Sequence, residues 1–208
     1  MSASTQPQPL ASTLVLASAS PRRSHLLETL GLRFEVHPAH IDENEATDAA
    51  PEPLVLENAR RKAQAVAPAR PDAIVLGADT VVALEGMLLH KPADLDEARQ
   101  MLHRLSGRTH VVHTGVHLLG LSRGLAEGAS VTSEVVFKVL NDAAIDAYFE
   151  RVNPLDKAGA YGIQEGREWI IERYRGSLAN IMGLPIEHLK ERLQSLGLWD
   201  MLHLTQAD

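Results

Sequence analysis

Apolar residues along this chain follow two spacings, and the change from one to the other marks out its elements. Leu14, Val15, Leu16 and Ala17 form a short apolar run bounded by turn residues, which predicts a buried strand. Ser18-Ala19-Ser20 follows. Pro21 suits a first helical position, with Ser20 before it as the N-cap. Leu26, Leu27 and Leu30 make the buried stripe of that helix, and Gly31 ends it. Residues 33–37 read as a short strand. Residues 54–66 have helical spacing, with Leu56, Ala59, Ala63 and Val66 on one side and Asn58, Arg61 and Lys62 mainly elsewhere. Residues 72–84, DAIVLGADTVVAL, form a strongly apolar strand, turned by Glu85-Gly86 into a returning strand over 87–90 that delivers Lys91-Pro92.

Asp94 caps a helix running to Leu105, closed by Ser106-Gly107. Residues 109–119 and 130–140 read as long strands of an antiparallel pair, joined by the glycine-containing segment 120–128. Asn141 caps a helix to about Arg151. Residues 156–164, DKAGAYGIQ, make a glycine-rich loop, and 168–174 a strand. Residues 186–196 form a last amphipathic helix, with 199–204 packing as a tail. Strands and helices alternate early, whereas paired strands gather in the middle, so the pattern predicts an α/β fold on a mixed sheet rather than a purely parallel one.

A chain of 208 residues without a break in composition suits one domain, or one domain with two lobes around a cleft. Residues 1–12, rich in Ser, Thr, Gln, Ala and Pro, carry no pattern to bury and read as a disordered tail, leaving 13–208 as a single domain. The absence of cysteine removes disulfides and thiolate metal ligands, and no charged and apolar leader opens the chain, so it reads as cytoplasmic. No apolar run approaches the roughly 18 residues of a spanning helix. The net charge of −7 argues against a broad nucleic-acid surface but leaves room for one basic cleft that takes an anionic small molecule.

Candidate chemistry starts at the first strand–helix turn. Ser18, Ser20 and the opening of the helix offer hydroxyls and unpaired N–H groups, and Arg22 and Arg23 add fixed positive charge, which together outline a phosphate site; the alternative is a capped structural helix with solvated arginines. Asp79 is a carboxylate inside an apolar strand, where burial is costly unless the group is paired or bound to metal. Gly77 and Ala78 beside it leave room for a ligand to approach the backbone, and Thr80 adds a hydroxyl. With Glu43 from the acidic loop, Asp79 can hold a hard cation such as Mg²⁺. Lys62 and Lys91 extend the positive charge for a triphosphate. In the 156–164 loop Lys157 can touch phosphate, and Gln164 offers both a donor and an acceptor to a base edge. His110, His113 and His117 share a strand, but their spacing puts His110 on the face opposite the other two, against a three-histidine metal site. Neither a P-loop nor a G-x-G-x-x-G fingerprint is present.

Taken together, LASASPRR at 16–23, GADTVV at 77–82, KP at 91–92, LSG at 105–107, DKAGAYGIQ at 156–164 and GLP at 183–185 resemble, in order, the motifs of the Maf nucleoside triphosphate pyrophosphatases. The resemblance runs from Leu14 to about Leu193. It implies an elongated, twisted mixed sheet flanked by helices, with two lobes around a central cleft, as in the inosine-triphosphatase group. It further implies hydrolysis of a nucleoside triphosphate to monophosphate and pyrophosphate, Asp79 as the catalytic base, and a required divalent metal, Mg²⁺ or Mn²⁺. Arg22, Thr80 and Gln164 match the branch that acts on dTTP and UTP rather than the 7-methyl-GTP branch. After Gln164 the family often continues with glycine, whereas this chain has Glu165. Members often form homodimers, and the family is associated with inhibition of septum formation, so a nucleotide-binding regulator without catalysis is the competing reading. A phosphatase that cleaves the terminal phosphate is another.

Overall fold

The computed structural model describes residues 13–44, 46–47 and 49–203, so the expected tail over 1–12 lies outside them. The chain begins with β1 (Leu14–Leu16), α1 (Pro21–Thr29), β2 (Phe34–Val36) and α2 (Pro51–Val66), then β3 (Ile74–Leu84), β4 (Met87–Leu89) and α3 (Leu95–Leu105). The long strands β5 (Thr109–Gly120) and β6 (Leu125–Phe137) follow, and then α4 (Asp142–Phe149), α5 (Arg167–Ile170), β7 (Ile171–Arg175), α6 (Leu178–Ile181), α7 (Ile186–Ser195) and α8 (Trp199–Leu202). All strands belong to one seven-stranded mixed sheet in the order β2-β1-β3-β5-β6-β7, with β4 paired to β3 outside that path. β2, β1 and β3 run parallel, and the remaining pairs are antiparallel.

Asp94 and Asn141 cap their helices as their side chains predict. Asp94 Oδ1 accepts the Glu97 N–H at 2.8 Å, and Asn141 Oδ1 accepts the Ala144 N–H at 2.9 Å. Ser20 occupies the N-cap position of α1 but makes no capping bond; instead the Ser18 hydroxyl accepts the Ser20 N–H at 3.2 Å. β6 starts earlier than expected, at Leu125, because 125–129 go on pairing with β5 down to Gly120, and only a 3₁₀ turn over Leu121–Arg123 joins the two strands. Residues 168–170, expected as strand, are helical, turned by the Trp169 N–H donating to the Gly166 carbonyl. The short α6 has no apolar periodicity to announce it and is held by Ser177 Oγ, which accepts the Asn180 N–H at 3.0 Å.

Two larger cores lie on either side of a gap in the sheet. One gathers Leu14, Leu16, Leu27, Ile74, Leu76 and Leu184, and the other Val82, Leu102, Leu105, Phe137, Ile145 and Tyr148. The gap follows from the register. β1 pairs with β3 only as far as Leu16 opposite Leu76, and β4 joins the same edge only at Val82, so among the described residues no strand pairs with 77–81 on that side. A binding cleft is expected there, beyond the carboxyl end of a parallel strand.

The other face of β3 and β5 carries α2 at backbone contact. A Cβ on Gly77 would run into the Ala59 carbonyl oxygen, and one on Gly115 into the Val55 carbonyl, so these glycines let the helix settle onto the sheet. Gly77 therefore makes room for α2, not for a ligand. This seating also turns Asn58 and Lys62 inward with Val55, Ala59 and Val66, while Leu56 is only half-buried, which shifts the buried stripe from the one the sequence suggested.

His110 lies in the second core with its ring edge-on to Phe137 and Tyr161, and its Nε2 is 2.7 Å from the Tyr161 hydroxyl. Burial lowers its pKa to about 3. The unfolded chain takes up this proton near pH 6.5, so stability is full above that point and drains away as pH falls towards the folded value. Between pH 6 and pH 4 the loss is expected to approach about 1.4 kcal/mol per pH unit from this group. Denaturant melts across that range should show His110→Phe with a visibly flatter acid limb; an identical limb refutes the assignment.

Candidate active site

A cleft of about 630 Å³ opens along the free edge of β3, within the range of small-molecule sites. All the candidate residues line it: Ser18, Ser20, Arg22 and Arg23 from the β1–α1 turn, Glu43 from the loop after β2, and Lys62 from α2. Asp79 and Thr80 come from β3, Lys91 from after β4, and Lys157 and Gln164 from the 156–164 loop.

Asp79 forms the floor at 4% exposure, on the face of β3 that carries α2. Its Oδ1 accepts from Lys62 Nζ at 2.8 Å and its Oδ2 from Asn58 Nδ2 at 3.0 Å. Burial, the largest single influence, pushes the carboxyl upward. The Lys62 charge and hydrogen bond, the Asn58 bond and the Arg23 charge together outweigh it and hold the pKa below the ordinary carboxylate value. Asp79 is thus ionised at neutral pH, the form that can bind a cation or accept a proton.

Lys62 Nζ also reaches Glu43 Oε1 at 3.0 Å and the Ala78 carbonyl at 3.3 Å. Two carboxylates therefore converge on one point of positive charge. Their hard oxygens suit Mg²⁺, which commonly takes one or two carboxylates and completes its shell with water and substrate phosphate. Among the described residues no three His, Cys, Asp or Glu side chains group as a metal site. Glu43 and Asp79 fit the metal in kind.

Thr80, on the opposite face of the strand, meets the second arginine. Arg23 donates through Nε to the Gly183 carbonyl at 2.9 Å, through Nη1 to Ser18 Oγ at 3.0 Å and through Nη2 to Thr80 Oγ1 at 3.2 Å. Burial lowers its pKa, partly offset by the Asp79 and Glu43 charges. Beyond it, Thr80 Oγ1 lies 3.0 Å from Thr114 Oγ1, whose hydroxyl donates to the Asn180 carbonyl at 3.0 Å. Arg23 thus braces the turn, the strand and the 183 segment against one another. Arg22 sits nearer the mouth, paired with Asp156, and Lys91 and Gln164 are exposed on the rim.

Lys157 lines the cleft, and its ammonium also turns back into its own loop, to the Asn153 carbonyl at 2.8 Å and Asp156 Oδ1 at 2.7 Å, which it secures. Tyr161 likewise packs its ring into the core beneath that loop. The histidines divide as their spacing predicts: His110 meets Tyr161, while His113 and His117 feel the charges of Glu52 and Glu57 on α2.

Two contributors were not singled out from the sequence. Asn58, four residues before Lys62 and so on the same helix face, donates to Asp79 and exchanges bonds with the Asn44 backbone, tying the Glu43 loop to the acid. Its helical phase was the available signal. Asp156 meets Arg22 across 134 positions of chain, and no local pattern announces such a pairing.

Residues 13–196 match the family model described as Maf-like protein. The dTTP/UTP pyrophosphatase of Syntrophus aciditrophicus (strain SB) is 45% identical over 188 residues, covering 90% of this chain and 92% of that one. The dTTP/UTP pyrophosphatase of Myxococcus xanthus (strain DK1622) is 46% identical over 185 residues, covering 89% and 93%. Among solved structures, the Staphylococcus aureus Ham1 protein superposes with a TM-score of 0.52 at 17% identity, over 89% of this chain and 100% of that one, a likeness of fold.

Proposed function

The chain belongs to the Maf family, and from that premise we propose that its cleft hydrolyses UTP and dTTP to the monophosphate and pyrophosphate, with residues 13–208 acting as one catalytic domain in the cytoplasm. The observation that carries this reading is the meeting of an ionised, buried Asp79 with the cations Arg22 and Lys91 and the amide of Gln164 in a single cleft. A site for binding alone has little need of an acid placed where burial is so costly. Among the described residues no helix is long and apolar enough to cross a membrane.

In the proposed reaction water attacks the α-phosphorus in line with the bond to the bridging oxygen. That bond breaks, and pyrophosphate leaves with the electron pair. Asp79 orients the water and takes its proton. Arg22 and Lys91 meet the charge that grows on the phosphoryl and leaving oxygens. Arg23, already committed to Ser18, Thr80 and Gly183, keeps the turn and strand in register. A bound Mg²⁺ or Mn²⁺, which Glu43 and Asp79 would hold, supplies further positive charge to the phosphates. Gln164 on the rim reads the base edge.

Product analysis after incubation with UTP and Mg²⁺ in ¹⁸O-water tests the reading. UMP carrying the label, with unlabelled pyrophosphate, is expected. UDP with orthophosphate shows terminal cleavage, label in the pyrophosphate shows attack at the β-phosphorus, and no products show a binding protein; each contradicts the proposal. Gln164→Glu exchanges the amide donor for a carboxylate and is expected to lower kcat/KM for UTP relative to CTP and GTP by about 10-fold or more. Unchanged ratios across UTP, dTTP, CTP and GTP exclude that role for Gln164.

A further inference from the structure

Alternating charges cross the mouth of the cleft. The Arg22 guanidinium donates through Nη1 to Asp156 Oδ2 at 3.0 Å and through Nη2 to the Asp156 carbonyl at 3.2 Å. The other carboxylate oxygen accepts from Lys157 Nζ at 2.7 Å, and Lys157 Nζ lies 3.5 Å from a carboxylate oxygen of Glu165. The Lys157 side chain is only 5% exposed, and its stem covers Gly162, where a Cβ would stand 2.8 Å from Lys157 Cε. One buried ammonium thus holds both ends of the 156–165 loop, and Asp156 carries the linkage on to α1. Burial alone would raise the Asp156 carboxyl; the bonds from Lys157 and Arg22 outweigh it and keep the group ionised.

Glu165 directly follows Gln164. We propose that the charges of Arg22, Asp156, Lys157 and Glu165 set the span between the phosphate end and the base end of the bound nucleotide. Asp156 is then a positioning residue for Arg22, and Glu165 one for Gln164. This inference rests on the pyrimidine triphosphate reading above and adds to it a specificity device. Asp156 and Glu165 are both about half exposed, and pairs in that setting add little to stability. Their leverage is geometric, because a displacement of about 1 Å at a site of this kind costs about 10²-fold in rate. A loop released from Lys157 lets Gln164 wander and admits other base edges.

The test uses the full-length protein, Asp156→Asn, Glu165→Gln and the double variant, each checked first for wild-type circular dichroism. Should Asp156→Asn fail to fold, Glu165→Gln, at an exposed site, carries the test alone. Amide hydrogen exchange at 162–165 is expected to quicken in each single variant and little further in the double, as for residues acting as one unit. Unchanged exchange overturns the charge linkage whether or not the protein turns over nucleotide. The ratio of kcat/KM for UTP over CTP is expected to fall about 10-fold, again without full additivity. A faster-exchanging loop with unchanged discrimination, or discrimination that improves, overturns the specificity role. Wild-type protein that hydrolyses neither nucleotide overturns the pyrimidine reading and the base-positioning claim with it, while the exchange result still decides whether these charges hold the loop.

Discussion

Asp79→Asn is expected to lower kcat/KM for UTP by about 10²–10⁴-fold in a protein that still folds. The substituted amide fills the same volume but can neither take a proton from water nor offer a charge to a cation. The fold should survive because Lys62 is not stranded: Glu43 Oε1 at 3.0 Å and the Ala78 carbonyl at 3.3 Å still meet its ammonium. The cost is then that of a weakened buried hydrogen bond, about 1–3 kcal/mol, below the roughly 3–5 kcal/mol of an unpaired buried charge. Steady-state kinetics beside a thermal melt separate the two effects. A folded variant with near-normal kcat would remove Asp79 from the chemistry.

Lys62→Met reverses the situation and is expected to destabilise the protein by about 3–5 kcal/mol at pH 7. Here the group left behind is the acid. Asp79 keeps the Asn58 amide but loses the 2.8 Å ion pair that offsets its burial, and Glu43 adds like charge nearby. Without the ammonium, burial is opposed only by the Asn58 bond and the Arg23 charge, and the Asp79 carboxyl is expected to rise above its unfolded value. The sign of the pH dependence follows: the folded variant then binds a proton more readily than the unfolded chain, so its deficit should shrink as pH falls from 7 towards 4.5. Wild-type Asp79, held below the ordinary range, behaves oppositely and loses its contribution as pH falls through its folded value. Denaturant titrations at both pH values check this, and a variant as stable as wild type at pH 7 would show that the ammonium offsets nothing.

These two residues also show what was legible in the sequence. Asp79 stands out because a carboxylate in an apolar strand demands a partner, and the demand can be read without knowing which partner answers it. Lys62 could be named but not aimed. The helical wheel of α2 has two neighbouring apolar stripes, and the choice between them depends on Gly77 and Gly115, whose missing side chains let the helix settle with Lys62 and Asn58 inward. That is a tertiary fact written in two glycines far apart in sequence. The caps at Asp94 and Asn141 are local and were readable for that reason. The start of β6 was obscured because Ala126, Gly128 and Ala129 carry weak strand preference, and pairing with β5 overrides it. The charge of Lys157 can be read from sequence, but its burial by its own loop depends on a backbone course that composition does not specify.

The unpaired edge of β3 at 77–81 has a further consequence. An unzipped strand offers main-chain donors and acceptors to any passing strand, the usual start of sheet-to-sheet aggregation. Here that hazard coincides with the working surface, so it is not removed by zipping the strand shut. Instead the edge is sunk in a cleft rimmed by Arg22, Lys91 and Asp156, where a foreign peptide would have to strip water from opposed charges to reach it. The same ionic rim that is proposed to meet the nucleotide would therefore also raise the cost of strand pairing at this edge.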